Sequence, residues 1–233
     1  SPPPPSAPAP PPPPSPAAAR PEQFHHVLPN GLALLAEHIP GVRSAAMTFL
    51  IPAGAASDPV EASGAATVLS DWIIRGAGER DSRALSAYLD GLGVQRGSQA
   101  ETVYTRLSAS LLGTNLLRIL PVYADIVQRP QLPADGFEPA RDLALQQLDA
   151  IDDEPSHKLS ILLRERHYDY PFGRRTVGIR EQLEALTADQ LRADFQRRFS
   201  PKGAILAIAG DFDWLALKDA VGSAFANWQA PRA

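Results

Sequence analysis

The stretch Ser63 to Glu79, SGAATVLSDWIIRGAGE, constrains the fold of this chain more than any other. Ala65, Val68, Leu69, Trp72 and Ile73 recur at helical spacing and make one apolar stripe. The spacing predicts an amphipathic helix that stops at Gly76 and lays this stripe on a core. Thr67 and Asp71 stand at i and i+4 and share a neighbouring face, with Ser70 one residue before Asp71.

The remaining chain is long enough to supply that core. It has 233 residues, a net charge of −4 and an ordinary hydrophobic fraction of 44%. No apolar run approaches the roughly 20 residues that span a bilayer. Basic residues form only the short pairs Arg174-Arg175 and Arg197-Arg198, so nucleic acid is not an expected partner. The absence of cysteine excludes disulfides, thiol catalysis and thiolate-bound zinc.

Residues 1–22 are nearly all Pro, Ala and Ser and cannot build a core. They read as a spacer between an export signal or membrane anchor and the folded part, or as a ligand for a Pro-binding module. A tether of this kind suits a bacterial periplasmic or envelope protein. The folded domain is expected over residues 23–233. It opens with a hairpin across Pro29-Asn30-Gly31, then a central strand over Arg43–Pro52. A helix follows from Ser82, capped by Asp81, and then strands over Val94–Gln99 and Thr102–Leu112. Asn115–Gln128 reads as a helix in which Pro121 should make a kink or break. Phe137–Ile151 is a helix, and Pro155 starts another that runs to about Tyr168. A short helix over Ile179–Leu186 leads to a capping box at Thr187 and Gln190. GAILAIAG, residues 203–210, is a buried strand, and a last helix closes the domain. About six strands, often joined by tight turns, with helices in blocks predict an α+β fold: an antiparallel sheet with helices packed mainly on one face.

The helix pattern at Ser63–Gly76 resembles the zinc-site helix of the insulinase/pitrilysin peptidases. LPNGL at 28–32, the loop PAGAASDP at 52–59 and the block YPFGRRTVGIREQLEALTADQLRADFQRRFSPKGAILAIAGDFD carry the same resemblance in the same order. It covers about Phe24 to Trp228 and implies one half of a peptidase that usually carries two. In that family the helix bears His-x-x-Glu-His, two imidazole ligands and a general base, and a second helix supplies a carboxylate ligand. Carried onto this chain, the ligand positions are Thr67, Asp71 and Gln147, and the base position is Ser70. A hydroxyl, one carboxylate and an amide make a poor zinc set, and Ser70 has no basicity at neutral pH. Asp71 and Gln147 are instead expected to hydrogen-bond across their two helices.

No other site is evident. His25 and His26 point to opposite strand faces, and His157 and His167 lie far apart along a helix. Asp149, Asp152, Asp153 and Glu154 read as a solvated helix end, with a weak cation site as the alternative. The resemblance therefore implies a non-catalytic homologue with no cofactor of its own, zinc being expected only in an active partner. That partner is an active zinc peptidase homologue, as in a heterodimer, or a second half-domain. Together the two enclose and bind peptide substrate. The family's peptide-binding edge corresponds to Val94, Gln95, Arg96, Gly97, Ser98 and Gln99. Two other readings stand: a zinc-independent enzyme with an unrecognised site, and a free-standing peptide-binding scaffold.

Overall fold

A computed structural model describes residues 20–230, so most of the Pro-rich stretch lies outside the described residues. Strand β1 (Glu22–Val27) turns into β2 (Ala33–His38) through Asn30-Gly31. Gly31 adopts φ +93, and its N–H reaches the Leu28 carbonyl at 2.9 Å. That left-handed conformation is what the Asn-Gly pair offers a tight turn. The Asn30 amide donates to the carbonyls of Phe225 and Trp228, so the turn also ties down the end of the last helix.

Six strands form one sheet in the order β1-β2-β8-β3-β7-β6, with β3 (Ser44–Ile51), β6 (Gln95–Ala100), β7 (Thr105–Leu112) and β8 (Ile205–Gly210). All pairings are antiparallel except β2 with β8. The apolar run of β8 is explained by its place between β2 and β3, the most enclosed position available.

Alternation along β3 sets the layers. Ala45, Met47, Phe49 and Ile51 are buried, whereas Ala46, Thr48 and Leu50 face the other way and are less covered. The buried face carries the helices. Phe49 meets Phe225 and Trp228 edge-on, with ring centroids 5.4 and 5.8 Å apart. Helix α3 (Leu116–Gln128) and helix α8 (Trp214–Phe225) cover this side. Pro121 does not break α3. Its missing N–H leaves the Leu117 carbonyl without its helical partner, and Leu117 is on the exposed side, where a helix tolerates that loss.

The opening helix α1 spans Ala65–Trp72 and is shorter than its apolar stripe predicts. After Ile73 the chain turns, and Gly76-Ala77 (β4) pairs with Arg80-Asp81 (β5) in a small hairpin. Helix α2 (Ser82–Gly91) then starts with the Asp81 carboxylate accepting from the Ala84 N–H, as expected of an N-cap. The remaining helices are α4 (Ala134–Asp152), α5 (Pro155–His167), α6 (Arg180–Ala185) and α7 (Ala188–Arg198). The capping box of α7 forms as predicted, with the Thr187 side chain and Gln190 exchanging hydrogen bonds. Among the described residues no helix is long and apolar enough to cross a membrane.

Candidate functional site

Helix α1 is held at its N-terminus by a buried charge cluster that sequence reading passed over. The Asp58 carboxylate accepts from the N–H groups of Gly64 and Ala66, both at 2.9 Å. It also takes the Arg198 guanidinium at 2.9 Å, and Arg198 pairs with Asp194 one turn back on α7. The Asp58 and Arg198 side chains are 0% and 1% exposed. Burial pushes the Asp58 carboxyl above its usual range, opposed by Arg198 and the two N–H donors. The signal was the Asp58-Pro59 step, where a carboxylate precedes a helix start and complements its orphan N–H groups.

The glycines flanking this region have a packing reason. Gly64, just before α1, and Gly178, just before α6, adopt φ +98 and +88 and lie against each other. A Cβ on Gly178 would fall 2.4 Å from the Ser63 carbonyl. The close approach brings the segment before α6 onto α1, and so fixes what faces Thr67.

Thr67 donates its hydroxyl to the Thr176 carbonyl at 2.6 Å. Ser70 is buried and donates to the Thr67 carbonyl at 2.8 Å, back onto its own helix. The Ser98 hydroxyl in β6 donates to the Ser70 carbonyl, which brings the sheet edge against α1. Asp71 does not reach Gln147. Its carboxylate lies 2.5 Å from the Arg75 guanidinium, and among the described residues no hydrogen bond joins it to α4. Gln147 is exposed on α4, beside the buried stripe of Phe137, Ala140 and Ala144 that packs toward α1. The expected bond across the helices is thus replaced by an i,i+4 ion pair between Asp71 on α1 and Arg75, three residues past the helix end. Sequence spacing alone offered Arg75 as that partner, and it was missed.

These groups are a poor fit for zinc. A metal of this class takes imidazole, thiolate or carboxylate donors. Here the hydroxyl is committed to a carbonyl, the carboxylate to a guanidinium, and the third group is a neutral amide. Arg75 adds a positive charge beside the position where a dication would have to sit. Among the described residues no cluster of three His, Asp or Glu side chains could hold a metal. Asp149, from the acidic cluster noted above, pairs with Arg180. His157 stands 3.7 Å from Glu154 on the surface.

Beside this region lies the free edge of β6, which pairs on its other side with β7. Behind that edge is a cavity of about 430 Å³ walled by Ile74, Leu85, Leu89, Val94, Leu107 and Tyr123. Burial pushes the Tyr123 phenol up to about 12, so it stays protonated and donates to the Ser108 carbonyl at 3.1 Å.

The fold and this helix pair define a metallopeptidase-like α+β domain. The family model of insulinase, peptidase family M16, matches residues 33–178, and the chain belongs to that family. It is 28% identical over 187 residues to an uncharacterised zinc protease of Mycobacterium leprae, covering 80% of this chain and 42% of that protein. The M16 peptidase inactive domain from Pseudomonas fluorescens shares the fold with a TM-score of 0.80 and 20% identity, over 91% of this chain and 52% of the other. The periplasmic protease PqqL from Escherichia coli matches with a TM-score of 0.79 and 16% identity, over 93% of this chain and 25% of the other. The chain thus spans about half or less of the length of these relatives.

Proposed function

We propose that this chain is a non-catalytic member of the family, which binds no zinc and cleaves no peptide. It pairs with an active zinc peptidase homologue or a second half-domain and helps enclose and bind peptide substrate. The observation that carries this reading is the engagement of Asp71 by Arg75, which lies just past the end of α1. With Thr67 tied to Thr176 and Ser70 folded back on its helix, no group at these positions is available to bind a metal or activate water. The half-length match to the relatives supports a second half or subunit. The likeness to a periplasmic protease supports the bacterial envelope as its place.

Peptide binding is supported by the open edge of β6. An extended peptide adds to such an edge through main-chain hydrogen bonds, and pockets beside it select side chains. The apolar cavity behind β6 suits one aliphatic or aromatic side chain. Three measurements test the proposal. Metal analysis after dialysis, with hydrolysis assayed in added zinc, should find neither stoichiometric zinc nor activity. Co-purification from the native source should bring down an intact His-x-x-Glu-His homologue. Peptide affinity should fall on Gln95→Pro or Ser98→Pro; unchanged affinity would move the binding site elsewhere. Activity that survives removal of any active partner would favour a zinc-independent enzyme, and peptide binding without a partner would favour a scaffold.

A further inference from the structure

A second cavity, of about 500 Å³, lies at the Ala100 end of β6. Gln99 and Ala100 form one wall, α5 contributes His157 and Arg164, and Arg174 and Arg175 close it. The arginines differ in what holds them. Arg175 is matched by Glu165 at 2.5 Å. Arg174 donates to neutral acceptors: the carbonyls of Asp58 and Pro59 at 2.5 and 2.8 Å and the Tyr170 hydroxyl at 3.3 Å. Arg164 donates to the Thr102 hydroxyl. Neither Arg164 nor Arg174 makes an ion pair among the described residues.

One carboxylate, that of Glu101, also lines the cavity, and it is matched by its own guanidinium. Glu101 pairs with Arg106 at 2.7 Å, and the Asp58 carboxylate is turned inward to Arg198. Two guanidinium charges therefore remain uncompensated at one end of the edge strand, in a chain whose net charge is −4. Guanidinium groups favour planar carboxylates, which they bind with two parallel hydrogen bonds. The cavity also adjoins the site helix, since Thr176 on its wall receives the Thr67 hydroxyl.

We propose that this cavity is an anion subsite continuous with the β6 edge. The peptides that the domain takes carry a carboxylate there, from an Asp or Glu side chain or from a free C-terminus. The inference rests on the reading of β6 as a peptide-binding edge and names the class of peptide that edge accepts.

The test uses the full chain and labelled ten-residue peptides that share one apolar-centred sequence and carry Glu, Gln or Lys at the terminal positions. Each is made with a free and an amidated C-terminus, and binding is followed by fluorescence anisotropy at low salt. The peptide that carries the carboxylate should bind about ten-fold tighter than its neutral counterpart, Glu over Gln or free over amidated terminus, and the advantage should shrink with added salt. Arg174 also anchors the Asp58-Pro59 loop, so Arg164 carries the test. Arg164→Gln should bring the Glu and Gln peptides close to parity, and Arg164→Glu should favour the Lys peptide. A Glu-over-Gln advantage that survives amidation assigns the carboxylate to a side chain; equal Glu and Gln binding that weakens on amidation assigns it to the C-terminus. Equal binding of Glu and Gln peptides that amidation leaves unchanged, both weakened by Gln95→Pro, would overturn the anion subsite and leave the peptide edge standing. An advantage unchanged in Arg164→Gln would also overturn it. Failure of every peptide to bind would overturn both.

Discussion

The Asp71 carboxylate lies 2.5 Å from the guanidinium of Arg75, four residues on and just past the end of α1. At the position that the resemblance assigns to a metal ligand, Asp71 is thus engaged in an ion pair. Rebuilding the site must therefore remove a competitor as well as supply ligands. Thr67→His, Ser70→Glu, Asp71→His and Gln147→Glu together should create zinc affinity. Adding Arg75→Gln should tighten it by about ten-fold, because a cation beside the dication is removed. Zinc titration against a chelating dye measures both. If the variants keep their helical circular dichroism and ignore zinc, Gln147 is not the third ligand position.

Arg198 is expected to matter more for stability than any surface charge. Arg198→Met leaves Asp58 and Asp194 buried without their shared cation and should cost about 3–5 kcal/mol. Urea unfolding at neutral pH measures this. A loss below about 1 kcal/mol would be a surface-pair value and would contradict the cluster as described.

Asp58 should also leave a mark on the pH dependence. Its folded carboxyl is raised above 3.8, chiefly by burial. Between the ordinary value and the raised one, the native state holds a proton that the unfolded chain has released. The contribution of Asp58 to stability therefore falls as pH rises through that window. Wild type should lose stability relative to Asp58→Asn over that range. A difference independent of pH would show that Asp58 titrates normally.

Gly178→Ala should destabilise the domain by roughly 1–3 kcal/mol, since it forces a side chain into a left-handed backbone against the Ser63 carbonyl. Gly91→Ala is the control. A Cβ there meets nothing within 4 Å and sits at the end of α2, so the change should be neutral or mildly stabilising. Thermal melting distinguishes the two, and equal effects would refute the packing account.

Much of this architecture was legible because its signals are local. The Asn30-Gly31 turn, the Asp81 cap, the Thr187–Gln190 box and the apolar run of β8 each depend on a few adjacent residues. So did the composition of the site helix, where Thr67, Ser70 and Asp71 already exclude a His-x-x-Glu-His site. The end of α1 was misread because its apolar stripe continues to Ile73 while the backbone leaves the helix there to build the β4–β5 hairpin. The Asp71–Gln147 bond was expected because the family brings those positions together. A nearer partner, Arg75, took the carboxylate instead.

The sequence by itself determined the α+β class, the helix with its apolar stripe and the residue types at Thr67, Ser70 and Asp71. Periodicity, caps and turn residues act within a few positions of the chain. The tertiary structure decided the rest. It inserted β8 between β2 and β3 parallel to β2, set Arg198 on Asp58, and turned Thr67 onto Thr176. It also gathered Arg164 and Arg174 at one end of β6. These relations join residues far apart along the chain, and their geometry depends on how sheet and helices pack around a shared core. No local pattern encodes that distance.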